Sequence, residues 1–324
     1  MKPEFRLIAN GADVTALIAD SLLSLTVSDE DGETADRLDI TLDDRDSALE
    51  LPEVDAELEV ALGFAGRVLT PMGTFAVEGA DGSSPPQTMR ITAVAVDLKA
   101  SARAPQTRAF EDQTLEEIVG QIAGDAGLSP VVGASIRDHR WAYLAQTAES
   151  DLHFLTRIAR EIDATAKAAN GRLVVVRRAE GTTADGEPLE PVIVARTALA
   201  TWRWKLKSRE VDGSVEAEWA DTAGGETLRV TAGSEAPVQR LRQTFGSEGE
   251  ATRAADARLR ASRREALELD ATGAFQPGLF AGGLVRVPGL RPEFGGDWTL
   301  TRVRHSLGNS GLSTEFTAKK EFTR

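Results

Sequence analysis

The sequence predicts an α+β protein, mainly β, in which two related β units flank an α+β insert. A repeated phrase carries most of this. Gly296-Asp297-Trp298-Thr299-Leu300 opens an alternating stretch that passes the turn-rich Gly308-Asn309-Ser310-Gly311 and ends in Phe316-Thr317-Ala318. Near the other end, Gly73-Thr74-Phe75-Ala76-Val77 is followed by Pro85-Pro86 and then Ile91-Thr92-Ala93. Both copies run Gly-x-aromatic-x-aliphatic, a turn region, then apolar-Thr-Ala, with the period of two that marks half-buried strands. Between the copies lie two stretches of helical spacing. A chain that carries one β unit twice is more often the building block of a symmetric ring than a catalyst.

Taken in order, residues 24–28, 37–42 and 57–62 alternate strictly, and 73–80 and 89–98 complete five or more strands, enough for a small barrel or sandwich. Thr114 with Glu117 forms a capping box ahead of Leu115, Ile118, Val119 and Ile122, and Gly124 or Gly127 can end that helix. A second helix opens at Ser150 and aligns Leu152, Leu155, Ile158 or Ala159, and Ile162 on one face. Residues 164–168 and 172–178 flank Asn170-Gly171, a strong hairpin signal. Residues 179–191 are turn-rich. Strands return at 202–206 and 213–219, an Arg- and Ala-rich helix is expected over 251–267, and strands run from about 268 to 322. At 324 residues the chain suggests two or three domains. The expected divisions are an acidic first β unit at 1–100, an α+β middle at 101–195 and a second β unit at 196–324.

Composition narrows the function. The chain has no cysteine, which removes disulfides, thiolate catalysis and cysteine-metal sites. No apolar run is long enough for a membrane-spanning helix, and the N-terminus lacks the form of a signal peptide. The net charge is −14; residues 1–100 hold 20 acidic against 7 basic side chains, a balance of −13, with a dense run from Asp29 to Asp46. Such a run is a solvated face, a dock for a basic partner, or a surface that repels a polyanion. A direct DNA binder would show the opposite sign.

Candidate chemical groups give little. Ser150, Asp151 and His153 have triad residue types, but their spacing places them in the first turn of a helix, where Ser and Asp serve the N-terminus. His139 and His153 lack a third metal ligand at supporting spacing, and His305 sits in an alternating strand. Gly282-Gly283 and Gly295-Gly296 precede strands, as turn or bulge glycines do, and no phosphate-binding loop is present. Trp202 and Trp204 fall on one side of a strand and suit a core or a subunit interface. Arg253, Arg258, Arg260, Arg263 and Arg264, interleaved with alanine and acids, suit a packing helix. No catalytic, cofactor-binding or metal-binding residue is assigned.

Five phrases in order resemble the phage late control protein D family, the baseplate central hub of contractile tails. They are Pro85-Pro86-x-x-Met89-Arg90-Ile91-x-Ala93; Asp112-x-Thr114-Leu115-x-x-Ile118-Val119-x-x-Ile122-Ala123; Gln146-Thr147-Ala148-Glu149-Ser150-Asp151-x-x-Phe154-Leu155-Thr156-Arg157-Ile158-Ala159; Asn170-Gly171-Arg172-Leu173; and Asp297-Trp298-Thr299-Leu300-Thr301-x-Val303-x-His305-x-Leu307-x-Asn309-Ser310-Gly311. The resemblance implies a structural protein, not an enzyme. It implies two tube-like β-barrel domains per chain and a pseudo-sixfold homotrimer that adapts a sixfold tail tube to a threefold spike. The architecture is similar to the N-terminal hub part of type VI secretion spike proteins. Because the chain ends at Arg324, the spike is expected to be a separate trimeric polypeptide. Implied partners are the tube protein, that spike, the tape-measure protein and baseplate wedge proteins, with DNA passing the channel without specific binding. The implied location is the virion tail baseplate, after assembly in the bacterial cytoplasm. Two other readings, a tail-tip peptidoglycan hydrolase and a carbohydrate-binding β module, leave the repeated phrase unexplained.

Overall fold

The computed structural model describes residues 1–31, 36–45, 47, 49–95, 104–169, 171–183, 187–206, 212–221 and 224–321. The chain begins with β1 (Pro3–Ala9), β2 (Ala12–Asp13), the single turn α1 (Thr15–Ile18), β3 (Leu22–Glu30), β4 (Arg37–Asp43), β5 (Glu57–Phe64), β6 (Thr70–Ser83) and β7 (Thr88–Ala95). Alternation places Leu25, Val27, Leu38, Ile40, Leu58, Val60, Phe75 and Val77 in one apolar cluster, while the intervening polar residues face outward.

The middle contains β8 (Gln106–Thr114), α2 (Leu115–Ala126), β9 (Ser129–Val132), β10 (Arg140–Glu149), α3 (Asp151–Glu161), β11 (Ala164–Ala169) and β12 (Arg172–Arg177). The Thr114 capping box forms in full, and Gly127, with φ of 71°, ends α2 in the left-handed region. Ser150 caps α3 through the His153 backbone N–H. Strands β11 and β12 pair as expected; Gly171 has φ of 73°, and Asn170 lies outside the described residues. This part has its own core, running from Phe110 to Val175.

The last third holds β13 (Val192–Ile193), β14 (Leu199–Leu206), β15 (Ser214–Asp221), β16 (Glu226–Gly233), β17 (Val238–Phe245), α4 (Glu248–Arg264), β18 (Leu267–Ala274), β19 (Leu284–Arg286), β20 (Asp297–Gly308) and β21 (Gly311–Lys320). The helix expected over 251–267 starts and ends three residues earlier. Ser247 caps it by accepting from the Glu250 N–H, Glu250 reaches back to the Gly246 N–H, and Leu267 already opens β18. The strand expected at 213–219 belongs to a separate three-stranded sheet, in the order β16-β15-β17. That sheet packs on α4 through Val215, Ala217, Ala232, Ala251, Ala255 and Leu259. Alternation identified the strand but not its sheet.

The two β units share one sheet. Among the described residues it has 13 strands, with a main path β14-β18-β21-β20-β3-β4-β7-β6-β5-β1-β2. The joint is β20, whose first residues pair with β19 while Arg302 to Gly308 pair with β3. One 12-residue strand therefore borders two cores, with Leu307 in the first and Leu300 and Val303 in the second. The path runs open between β14 and β2, and no ladder among the described residues closes either unit into a barrel.

Candidate assembly surface

The repeated phrase is a repeated piece of architecture. In the first unit the ladders run β3-β4-β7-β6-β5, and in the second β14-β18-β21-β20-β19, antiparallel at every step. Irregularities recur at matching places. The β6–β7 ladder shifts between Val77 and Gly79, and the β20–β21 ladder between Leu300 and Arg302. The β3–β4 ladder shifts between Leu22 and Ser24, and the β14–β18 ladder between Leu199 and Thr201. A bulge re-aims the strand that carries it, so these two pairs of bulges bend matching strands at matching points. The shift between Val60 and Ala61 in the β5–β6 ladder has no counterpart in β19–β20. The glycines that open the two phrases, Gly73 and Gly296, both have positive φ, at 121° and 84°. The aromatics behind them, Phe75 and Trp298, are buried in their respective cores.

The units differ at one edge. β20 covers the outer edge of β3, so Leu25 and Val27 are 0% and 4% exposed. Nothing among the described residues covers β14, and the residues matching Leu25 and Val27 are Trp202 and Trp204, 39% and 37% exposed. The Trp204 ring lies 4.7 Å from Phe294, so one side of it packs on the second core. Arg203 and Lys205 point to the opposite, polar face, where Arg203 donates to Asp270 at 3.0 Å. Trp204 is thus partly packed on the second core, and both tryptophans are partly exposed on a strand at the open end of the sheet.

Part of the acidic run is tied to cations of its own chain. Lys167 on β11 donates to Asp29 at 2.5 Å and lies 2.8 Å from Asp36, and Asp29 also accepts the Ala281 N–H at 2.9 Å. One carboxylate thereby joins β3, the middle part and the loop before β19. Burial and the neighbouring Asp29 carboxylate push Asp36 up to about 6, against the pull of Lys167, while the two carboxylates raise Lys167 despite its burial. Asp39 accepts from Arg90 at 2.7 Å, and Asp43 lies 2.6 Å from Arg45. Residues 32–35 and Asp46 lie outside the described residues. The Asp29–Asp36 pair borders a cleft of about 1450 Å³ between the outer side of β5–β6 and the middle part, also lined by Glu59, Val174 and Phe280. Lys167 sits 131 and 138 residues from its partners, and no local pattern announces it.

The remaining candidates are distributed through the structure. Asp151 accepts from Arg108 at 2.6 Å and from Gln146 at 2.8 Å, a buried network under the α3 N-terminus, while His153 points outward beside Glu149. His139 packs against Trp141, with ring centroids 4.2 Å apart, and burial with Arg253 and Arg177 nearby lowers it to about 4. His305 is buried between the two large cores and shares a 2.9 Å hydrogen bond with Thr314 Oγ1; burial holds it below the ordinary imidazole range. Arg260 and Arg264 tie α4 to the buried Asp163, and Arg258 donates to Gln239 at 2.7 Å. Gly282 and Gly296 are turn residues with positive φ. Among the described residues, no helix is long and apolar enough to cross a membrane.

Comparison with known proteins places this architecture. The family model described as "Phage tail baseplate hub (GPD)" matches residues 37–311. The chain is 28% identical to the "Probable baseplate hub protein" of Escherichia phage 186, over 97% of this chain and 92% of that protein. In fold it is similar to the 43 kDa tail protein of prophage MuSo2 from Shewanella oneidensis, with TM-score 0.72, 15% identity and 98% of each chain covered. It is also similar to the E. coli c3393 protein, with TM-score 0.54 and 16% identity, covering 100% of this chain and 78% of that one. That protein is described as a type VI secretion component with structural similarity to T4 tail proteins gp27 and gp5. With the family model spanning most of its length, this chain belongs to the phage tail baseplate hub family.

Proposed function

We propose that the protein is the homotrimeric hub at the centre of a contractile-tail baseplate, adapting a sixfold tail tube to a threefold spike. The observation that carries this is the repeated ladder order with its matching bulges. Two equivalent units per chain let three chains present six similar surfaces on one side and three on the other. In this reading each unit acts as a tube-like barrel domain once its neighbours are in place. The working parts are 1–100 and 196–324, with 101–195 as the α+β part between them. The protein acts by geometry, without catalytic, cofactor-binding or metal-binding residues. Its partners are the tube protein above, a separate trimeric spike below, the tape-measure protein and the wedge proteins. DNA passes the channel without specific binding, and the particle is assembled in the host cytoplasm.

Mass measurement in solution, with and without the spike protein, tests this. Three copies per complex are expected. A ring of six, or a stable monomer with the spike present, would overturn the trimeric hub.

A further inference from the structure

The internal joint between the two units supplies a template for a joint between chains. Pairings fix which residues correspond. Val27 faces Leu38, which faces Ala93, which faces Val77; Trp204 faces Leu269, which faces Ala318, which faces Leu300. Val27 therefore corresponds to Trp204 and Val77 to Leu300, and beyond the shared bulge Asp81, Gly82 and Ser84 correspond to Arg304, His305 and Leu307. At the internal joint His305 faces Val27, Leu307 faces Leu25, and Arg304 faces Ser28. The element corresponding to the paired half of β20 is the second half of β6. Its far edge carries no ladder among the described residues, and residues 80–84 are exposed.

We propose that β14 of one copy adds to the free half of β6 in a second copy, in the register of the internal β20–β3 joint, as the contact that links chains in the hub. This rests on the self-assembly proposed above and gives it a residue-level interface. Transferring the register sets Trp204 opposite Gly82, Trp202 opposite Ser84, Arg203 opposite Ser83 and Lys205 opposite Asp81.

Two independent features fit. The first is size. Inside the chain Val27 meets the larger His305, and Leu25 meets Leu307, a residue of its own size. Between chains the larger residues lie on β14, since two tryptophans meet a glycine and a serine. A Cβ on Gly82 would touch only the Thr88 carbonyl, at an ordinary 3.6 Å, so the free chain does not require glycine there. The second is charge. Arg304 faces the neutral Ser28 within the chain, whereas Asp81 would face Lys205, opposite charges directly across an antiparallel pair. The new ladder would also satisfy the open backbone groups of two exposed edges, which otherwise invite unspecific pairing.

The absence of cysteine gives a clean test. Directly opposed residues of an antiparallel pair have Cα atoms about 4.5–5.5 Å apart, within disulfide reach. Asp81→Cys/Lys205→Cys should form covalent multimers under mild oxidation, and the register-shifted pair Ser83→Cys/Lys205→Cys at least several-fold fewer. Gly82→Phe should leave the monomer folded by circular dichroism yet abolish self-association. Asp81→Lys should weaken association roughly tenfold, and Asp81→Lys/Lys205→Asp should restore it. If the wild-type chain is trimeric by mass but these variants neither cross-link nor dissociate it, the register proposal fails and the trimer stands. If the shifted pair cross-links better, the edges meet in another register and the proposal is equally overturned. A wild-type chain that stays monomeric with the spike present removes both.

Discussion

Asp29 and Asp36 share one ammonium, and that arithmetic sets how the joint between β3 and the middle part responds to pH. Two carboxylates stabilise Lys167, but the second carboxylate gains less from Lys167 than it loses to burial and to its twin, so Asp36 rises from 3.8 to about 6. Its folded-state value exceeds the unfolded one. Asp36 therefore favours the fold while protonated, in full below about pH 4, and that contribution is lost as pH rises through about 6. Asp36→Asn is expected to raise stability at pH 7.5 by roughly 1–2 kcal/mol and to change little at pH 4, as read by urea unfolding at both. A loss at pH 7.5 would mean that Lys167 needs both carboxylates ionised. His139 and His305 have lowered values, so their contribution is present above about 6.5 and declines as pH falls. The two slopes oppose one another, which is why the difference between variant and wild type is the informative quantity. At this scale only local contacts were legible in the sequence. The Thr114 and Ser150 caps join residues three apart. The Lys167–Asp29 and Arg264–Asp163 contacts join residues 138 and 101 apart and leave no local trace.

At the scale of elements, the repeated phrase can be read physically. Its glycine takes a positive φ that a side chain resists, its aromatic and aliphatic fill a core, and a bulge follows before the strand continues. Gly73→Ala and Gly296→Ala should each cost about 1 kcal/mol or more in thermal or urea unfolding. Gly79→Ala is the control: it meets nothing within 4 Å and has no positive φ, so it should be neutral or slightly stabilising. Equal losses at all three would mean that crowding of the added methyl, not φ, governs these positions, because the entropy change alone favours alanine. Strands and hairpins were legible because a period of two and a turn signal are local properties. Apolar spacing does not mark the start of α4, since it begins only at Ala251, three residues after the first residue of the helix that Ser247 and Glu250 cap. The β16-β15-β17 sheet is indistinguishable from the main one by sequence, because alternation reports a buried face and is silent about what buries it.

At the scale of the whole molecule, one sheet carries two units and the other parts are attached to it. The attachment of β15–β17 and α4 is peculiar in that the flanking strands already meet: Leu206 faces Leu267 directly in the β14–β18 ladder. Residues 207–266 therefore leave and rejoin the sheet at one place, and they carry their own core around Val215, Ala255 and Leu259. Replacing residues 207–266 with Asn-Gly, a turn suited to two directly opposed strands, should leave the main sheet folded. The helical signal should fall most visibly, since α4 has 17 residues against 12 and 11 for α2 and α3. The change removes Arg264 and Arg260 from the buried Asp163, so it should also cost some stability by leaving that carboxylate unpaired. Circular dichroism and urea unfolding of the shortened chain would check this. A cooperative transition with retained strand signal is expected, with self-association intact because β14 and β6 are untouched. Loss of cooperative unfolding would instead make α4 part of the structure that holds the sheet to the middle part.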